Sequence, residues 1–496
     1  MLFLGMDLGS SGCKASVFDE NGTLKYSACR SYSFSHTPDG RSELDPKLLL
    51  DAAFEVFAEL GEKYDMSELA TLSADSFGEM FVTLDENGDP IGNSISYNDI
   101  RGEVEANELE AAVGADRLYA VTGATAHGMY ALPKLMWIKR HEPKRYEKTA
   151  RIHLFADYLL TALGATPHTD HSLAARTLCF DVTKKEWSGE ILSAAGISPS
   201  LFTKAVAPGT PVGQLAGELA KRFHFPENVI LIAGAHDQVA AAMGVGALTP
   251  GTVLDGMGSN ECLVPCFDRP LINSAMRESN LVCVPHALPG RYVTYAFNST
   301  AGSAWKWYCD LMREGYASLL TDLPAAPTDM FFVPHMAGAA TPYMDDRAEA
   351  ALIGMTLGSD RGQITKAILE GLNFEMMVNL ECLRKAGFEV KELYCTGGMA
   401  RSDEIMQLKA DMLGLPAVRC GTSESGARGL ILGGLVEKGI CRDLNDAARR
   451  VSAKGDRFIP NEALSKVYAK RFDIYRQYYP TLRSVEKIQK AVNDNE

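Results

Sequence analysis

The pattern of apolar and polar positions opens as a β-meander. "LFLGMD" and "CKASVFDENGTLKYSACRSYSF" predict short strands, with "DENG" (19–22) as a hairpin turn. "PKLLLDAAFEVFAELGEKY" (46–64) changes to a helical period and predicts an amphipathic helix. "LATLSADSFGEMFVTLDENGDPIGNSISYND" returns to strands, with a second "DENG" turn at 85–88. From about 100 to 225 the pattern is mainly helical, with "PKLMWIKRHEPKRY" and "SGEILSAAGIS" as clear segments. "NVILIAGAHDQVAAAMGVGAL" predicts a strand, a tight turn and an alanine-rich helix.

The opening outline then recurs. "GTVLDGMGSNECLVPCFD" (251–268) follows the plan of "FLGMDLGSSGCKASVFD" (3–19). Each gives an apolar strand, an Asp, a Gly-Ser turn and a second apolar strand ending in Phe-Asp. This weak repeat suggests two domains with similar cores, although Gly-Ser turns are common in hairpins.

The second half alternates helix and strand. Ile364, Ile368, Leu372, Met376 and Leu383 stand near helical spacing in 362–387. "VKELYCTGG" is a strand. "SDEIMQLKADMLG" is a helix with Ser402 as N-cap, Asp403 and Glu404 in the first turn, and Gly414 at its end. In "SESGARGLILGGLVEKG", Ala427, Gly429, Gly433 and Gly434 predict a helix packed closely on its neighbours. A polar helical tail follows Pro460.

At 496 residues the chain is too long for one core, so two domains are expected, 1–248 and 249–496. Hydrophobic content of 46% and charge of 23% suit a soluble globular protein. A net charge of −14 without a basic stripe argues against nucleic acid or an acidic membrane as partner. No apolar run approaches a membrane span, and "MLFLGMDLGSSG" lacks a basic leader. Eleven scattered cysteines read as reduced thiols, and with these features predict a cytoplasmic protein. Cys262 and Cys266 lack the second ligand pair that zinc needs.

Five stretches bear chemistry. In "DLGSSGCK" (7–14), Gly9 and Gly12 allow a turn whose N–H groups aim at an anion. Ser10 and Ser11 add hydroxyls, Lys14 adds charge, and Asp7 can hold Mg²⁺ through water. No GK[ST] closes the spacing, so it is not a P-loop. "DGMGSNE" (255–261) offers a similar nest with Ser259 and Asn260. A plain hairpin turn would account for either alone, whereas two facing turns would grip a polyphosphate. "CTGGMARSDE" (395–404) puts two glycines between strand and helix, where a flat ring or phosphate can approach the backbone. A structural turn is the alternative. Asp237 reads either as an N-cap or as a base or metal ligand at an interdomain mouth. In "SADSFGEMF" (73–81), Asp75 and Glu79 flank a strand end. Strand alternation would place Phe77 and Glu79 on one face, a ring beside a carboxylate, as a sugar site requires. Solvated loop carboxylates are the alternative.

In order and over nearly the whole chain, these stretches resemble the FGGY carbohydrate kinases, which include glycerol, xylulose, ribulose, rhamnulose and fuculose kinases. "DLGSSGCK" resembles their first phosphate motif and "GMGSNECLV" the second. "DENGDPIGNSISYNDIRG" resembles their "LDxxGxxLxPAIxWxDxR" stretch. "PKLMWIKRHEP" and "TDHSLAARTLCFDV" resemble lid segments. "GAHDQVAAAMGVGAL" matches the stretch with the catalytic Asp, and "CTGGMARSDEIMQLKADMLGLP" the adenosine motif.

The resemblance implies an α/β, actin-like ATPase fold, with two ribonuclease-H-like domains around an interdomain cleft. It implies ATP-dependent phosphorylation of a sugar or polyol, with ATP and Mg²⁺ as cofactors; a homodimer stays open. By match, Asp237 is the catalytic base, and Glu79, Asp237 and Gln238 meet substrate. Asp7 serves the metal. Ser10, Ser11, Lys14 and Ser259 meet phosphates, and Gly302, Lys306, Gly398 and Ser402 line the nucleotide. The helix N-terminus would favour ionised Asp237.

There are departures. Ser10 and Ser259 stand where Thr is commoner, and Asn260 where a smaller residue is usual. "SFGEM" replaces both the "QMHG" of xylulose kinases and the "QRET" of glycerol kinases: Glu79 falls on the latter's Glu, but Gly78 on its Arg. "HDQ" differs from the xylulose kinase "GDN". Pentuloses, deoxy-ketohexoses and small polyols all stay open as substrates, with a ketopentose favoured. The rival is an actin-like or chaperone-like ATPase without sugar kinase activity.

Overall fold

The computed structural model describes residues 1–421, 424–452 and 455–493. The first apolar run, Leu2–Gly9 (β1), pairs antiparallel with Gly12–Asp19 (β2), which pairs with Leu24–Ser31 (β3). On its other side β1 runs parallel to Leu69–Ser76 (β4). Pro211–Gln214 (β5) and Ile230–Ile232 (β6) complete a six-stranded sheet in the order β5-β6-β4-β1-β2-β3. Leu2 to Met6 and all of β4 are buried, as strands covered on both faces must be.

The recurrence of the opening outline is a recurrence of topology. Thr252–Met257 (β7) and Glu261–Phe267 (β8) form the second antiparallel hairpin. Val284–Pro285 (β9), Tyr292–Val293 (β10) and Ala296–Asn298 (β11) extend the sheet beyond β8. Glu392–Thr396 (β12) runs parallel to β7, followed by Ala417–Arg419 (β13) and Arg457–Phe458 (β14). In both sheets, therefore, a hairpin's first strand pairs parallel with a strand that arrives much later in sequence.

Helices follow from the apolar spacing. Pro46–Lys63 (α1) starts with Asp45 accepting from the Lys47 amide at 2.9 Å, and buries Leu49, Ala53, Val56, Phe57 and Leu60. Between the two sheets' strands, Ala131–His141 (α2), His171–Ala174 (α3) and Asp237–Val245 (α4) occur in turn. Gly302–Met312 (α5), Arg361–Lys385 (α6), Asp403–Leu413 (α7) and Ser425–Glu437 (α8) follow. Helix α6 opens with an Asp360–Gln363 capping box and buries Ile368, Leu372, Met376 and Leu383. Helix α7 has Ser402 as N-cap and ends at Gly414 in the left-handed conformation.

The small residues of α8 have a specific use. A Cβ on Gly429 would lie 1.9 Å from the Ala240 carbonyl, and one on Gly244 1.8 Å from that of Ser425. Helices α4 and α8 thus touch backbone to backbone. Helix α8 also lies on β1 and β4, so the chain returns to the first sheet after building most of the second. The tail helices Glu462–Tyr475 (α9) and Tyr478–Asn493 (α10) are anchored by aromatic residues. Tyr468 donates to Glu370 at 2.8 Å and Tyr475 to Glu375 at 2.5 Å, both on α6. Among the described residues no helix is long and apolar enough to cross a membrane.

Candidate active site

The ends of four chain segments open into one cleft of about 910 Å³. Asp7 comes from β1, Phe77 to Glu79 follow β4, His236 to Gln238 begin α4, and Gly397–Gly398 follow β12. A second cavity of about 1190 Å³ is lined by Ser259, Gly302, Lys306, Gly398 and Ser402. Gly258, Gly398 and Arg401 line both, so the cavities are contiguous. Ser10, Ser11 and Lys14 line neither. The two serines are exposed at the tip of the β1–β2 hairpin, and Lys14 is ion-paired with Glu424.

Asp237 sits where β6 hands over to α4. It is the first residue of the helix, and the N-cap is His236, whose Nδ1 accepts from the Gln238 amide at 3.3 Å. The Asp237 carboxylate also accepts from that amide, at 2.5 Å. Its side chain keeps 37% of its exposure, at the cleft floor. Enclosure by the cleft walls, and then the charges of Asp7 and Glu79, push its carboxyl up to about 7. The helix N-terminus does favour the ionised form, through the Gln238 amide, but enclosure and two like charges outweigh it. His236 is held neutral by burial and by nearby Arg176, as an accepting Nδ1 requires. Its amide donates to Ser172 Oγ at 2.8 Å, and Ser172 Oγ donates to the buried Asp170 at 2.5 Å. The junction is therefore fixed from behind.

Asp7 and Asp75 stand opposite each other on β1 and β4. Burial raises both, and Asp75, with no exposed surface, lies well above the usual carboxylate range. The Asp75 carboxyl faces that of Asp7 and the Leu8 backbone. Such an oxygen-only donor set suits a hard cation like Mg²⁺. Among the described residues no group of three or more ligating side chains forms a closed cage. Asp7 lines the cleft wall, where a carboxylate oxygen is within reach of a bound ligand.

Glu79 departs from its expected setting. The strand ends at Ser76, and Glu79 has a left-handed backbone, φ 66°. Strand alternation therefore does not put Phe77 and Glu79 on one face; both reach the cleft because the chain turns there. Nor is Glu79 a solvated loop carboxylate. It is 6% exposed and accepts from Arg176 Nε at 2.6 Å. Arg176, just beyond α3, lines the cleft too and was not singled out from the sequence.

Under the second cavity, α5 docks its N-terminus on the β7–β8 turn. The Gly302 amide donates to Gly258 O at 2.9 Å and the Ser303 amide to Ser259 O at 3.1 Å. Lys306 is paired with Asp310 at 2.6 Å, and the Ser402 hydroxyl caps α7. Asp255, the counterpart of Asp7 in the recurring outline, is buried and paired with Lys409 at 2.8 Å. Lys409 also pairs with Glu261, whose carboxyl burial pushes up to about 8. The two hairpins thus differ: the first presents its Asp to the cleft, and the second neutralises its Asp internally. A lysine in the apolar face of "IMQLKADML" was the one available signal of this cluster.

Comparison with known proteins shows the family. Residues 2–244 match the N-terminal domain model of the FGGY family of carbohydrate kinases, and 264–437 its C-terminal domain model. The xylulose kinase of Lactococcus lactis is 27% identical over 500 residues, covering 99% of each chain. The glycerol kinase of Bordetella parapertussis is 29% identical over 449 residues, covering 86% of each. A solved xyloylose kinase from Brucella ovis superposes with a TM-score of 0.89 at 27% identity, covering 98% of this chain and 100% of its own.

Proposed function

The chain belongs to the FGGY family of carbohydrate kinases, ATP-dependent phosphotransferases with an actin-like fold, and on that premise we propose that Asp237 is its catalytic base toward a neutral ketose or polyol. We take the lobes as 1–248 and 249–496; α8 of the second packs on β1 and β4 of the first. The observation that carries the reading is Asp237 on the cleft floor, first in its helix yet not its cap, with a carboxyl near neutrality. A base with its pKa near working pH combines a useful ionised fraction with a useful proton affinity.

ATP places its base and ribose in the cavity of Gly302, Lys306, Gly398 and Ser402. Its phosphates reach toward the main cleft past Ser259; Ser10, Ser11 and Lys14, which line neither cavity, would meet them only once the lobes close and Lys14 leaves Glu424. Asp7 would hold Mg²⁺, which when bound would neutralise phosphate charge. Glu79 accepts hydrogen bonds from the acceptor's hydroxyls, and the Gln238 amide can accept from them or donate to them. Asp237 orients the attacking hydroxyl and takes its proton as the O–P bond forms and the bond to ADP breaks. Closure of the lobes excludes water, which limits idle hydrolysis.

The test is ADP release with a panel of ketopentoses, deoxy-ketohexoses and small polyols, with products identified by mass. Release that depends on one acceptor and gives its phosphate ester supports the reading. Release at one rate whatever is added supports an ATPase that uses nucleotide to drive conformation.

A further inference from the structure

Arg176 reaches the cleft from a segment 97 positions from its partner Glu79. It is 5% exposed, and Glu79 6%. Its Nε and Nη2 both bond Glu79 Oε1, and its Nη1 has no partner among the described residues. The rings of Tyr130 and Tyr295 flank the guanidinium at 5.1 and 5.3 Å. The Tyr295 hydroxyl also lacks a partner. What admits this side chain is Gly78. A Cβ there would lie 2.7 Å from Arg176 Cγ and 2.9 Å from Arg176 Cβ and His236 Cδ2. Any larger residue would push the arginine's stem away from Glu79 or displace the ring beside Asp237.

We infer that Gly78, Glu79 and Arg176 form one specificity device, in which Arg176 is a positioning residue acting through Glu79. Two nitrogens of Arg176 engage one carboxylate oxygen, so the carboxylate is held in one orientation, with its other oxygen left for acceptor hydroxyls. The charge balance sets the substrate class. Glu79 balances the charge of Arg176, while Asp7 and Asp237 line the same cleft, so these four groups together carry no positive charge. An anionic acceptor such as an aldonate is repelled. An uncharged polyhydroxylated one is taken. The inference rests on the kinase reading above.

The test combines steady-state kinetics of Arg176→Met, Arg176→Lys and Gly78→Ala with an aldonate added to the panel. Arg176→Met should raise the acceptor KM by about tenfold or more, with the ATP KM within about twofold. Gly78→Ala should act in the same direction, and Arg176→Lys should fall between Met and wild type. In a Glu79→Gln background, Arg176→Met should add little, because coupled residues are not additive. ADP binding by calorimetry checks that each variant is folded. If Arg176→Met does not fold, Gly78→Ala and Arg176→Lys carry the test. Wild-type acceptor KM in the folded variants would overturn the inference, as would full additivity with Glu79→Gln or a preferred aldonate. If the wild type phosphorylates no acceptor, the kinase reading falls and takes the inference with it. If it does and the variants match it, only the inference falls.

Discussion

At the scale of single residues, Asp237 gives the sharpest expectation. Only its ionised form can accept a proton, and its carboxyl stands at about 7. The acceptor kcat/KM should therefore fall as pH drops through about 7. Positive charge beside Asp7 removes one of the causes of that elevation, so saturating Mg²⁺ should move the limb downward. A flat pH profile between about 5 and 8 would count against Asp237 as base. Glu79→Ala should raise the acceptor KM by about tenfold while sparing the ATP KM, since it removes hydrogen bonds to a charged group. An unchanged acceptor KM in the folded variant would take Glu79 out of the site. Asp237 and Glu79 could both be found in the sequence because each interrupts an apolar run with a carboxylate. Arg176 could not, because nothing local in "LAARTL" distinguishes a cleft arginine from a surface one.

At the scale of elements, the hairpins explain what was legible and what was not. Strand alternation and turn chemistry predicted β1, β2, β7 and β8, and the N-cap and C-cap residues bounded α7 to the residue. The fate of the hairpin acids was not legible, since Asp255 meets Lys409 only through the packing of α7 against the sheet. Asp7, by contrast, lines the cleft two residues before its strand ends. Asp7→Ala should lower the rate and weaken its Mg²⁺ dependence together. An unchanged Mg²⁺ midpoint and rate would refute the metal role. The glycines of α8 predicted close packing, though not that its partner would be α4. Gly429→Ala forces a methyl into the Ala240 carbonyl and should cost about 1–3 kcal/mol. Equal thermal stability of variant and wild type would show that the helices separate freely.

At the scale of the molecule, the fold brings a strand–helix junction of the first sheet and a glycine turn of the second to one cleft. The main cleft is thus walled by both sheets and runs on into the second cavity through Gly258, Gly398 and Arg401, so on the proposed reading a transfer needs both lobes. The recurring hairpin outline made this two-sheet architecture readable from sequence; the return of α8 to the first sheet was hidden because no local pattern encodes a partner. The most direct measurement is acceptor-dependent ADP release by wild type and Asp237→Asn, with ATP affinity measured in parallel. The variant should bind ATP as wild type does and lose transfer by roughly 10²–10⁴-fold, the range for a general base. Wild-type turnover in the variant would contradict the account, leaving Asp237 as the first residue of its helix and nothing more.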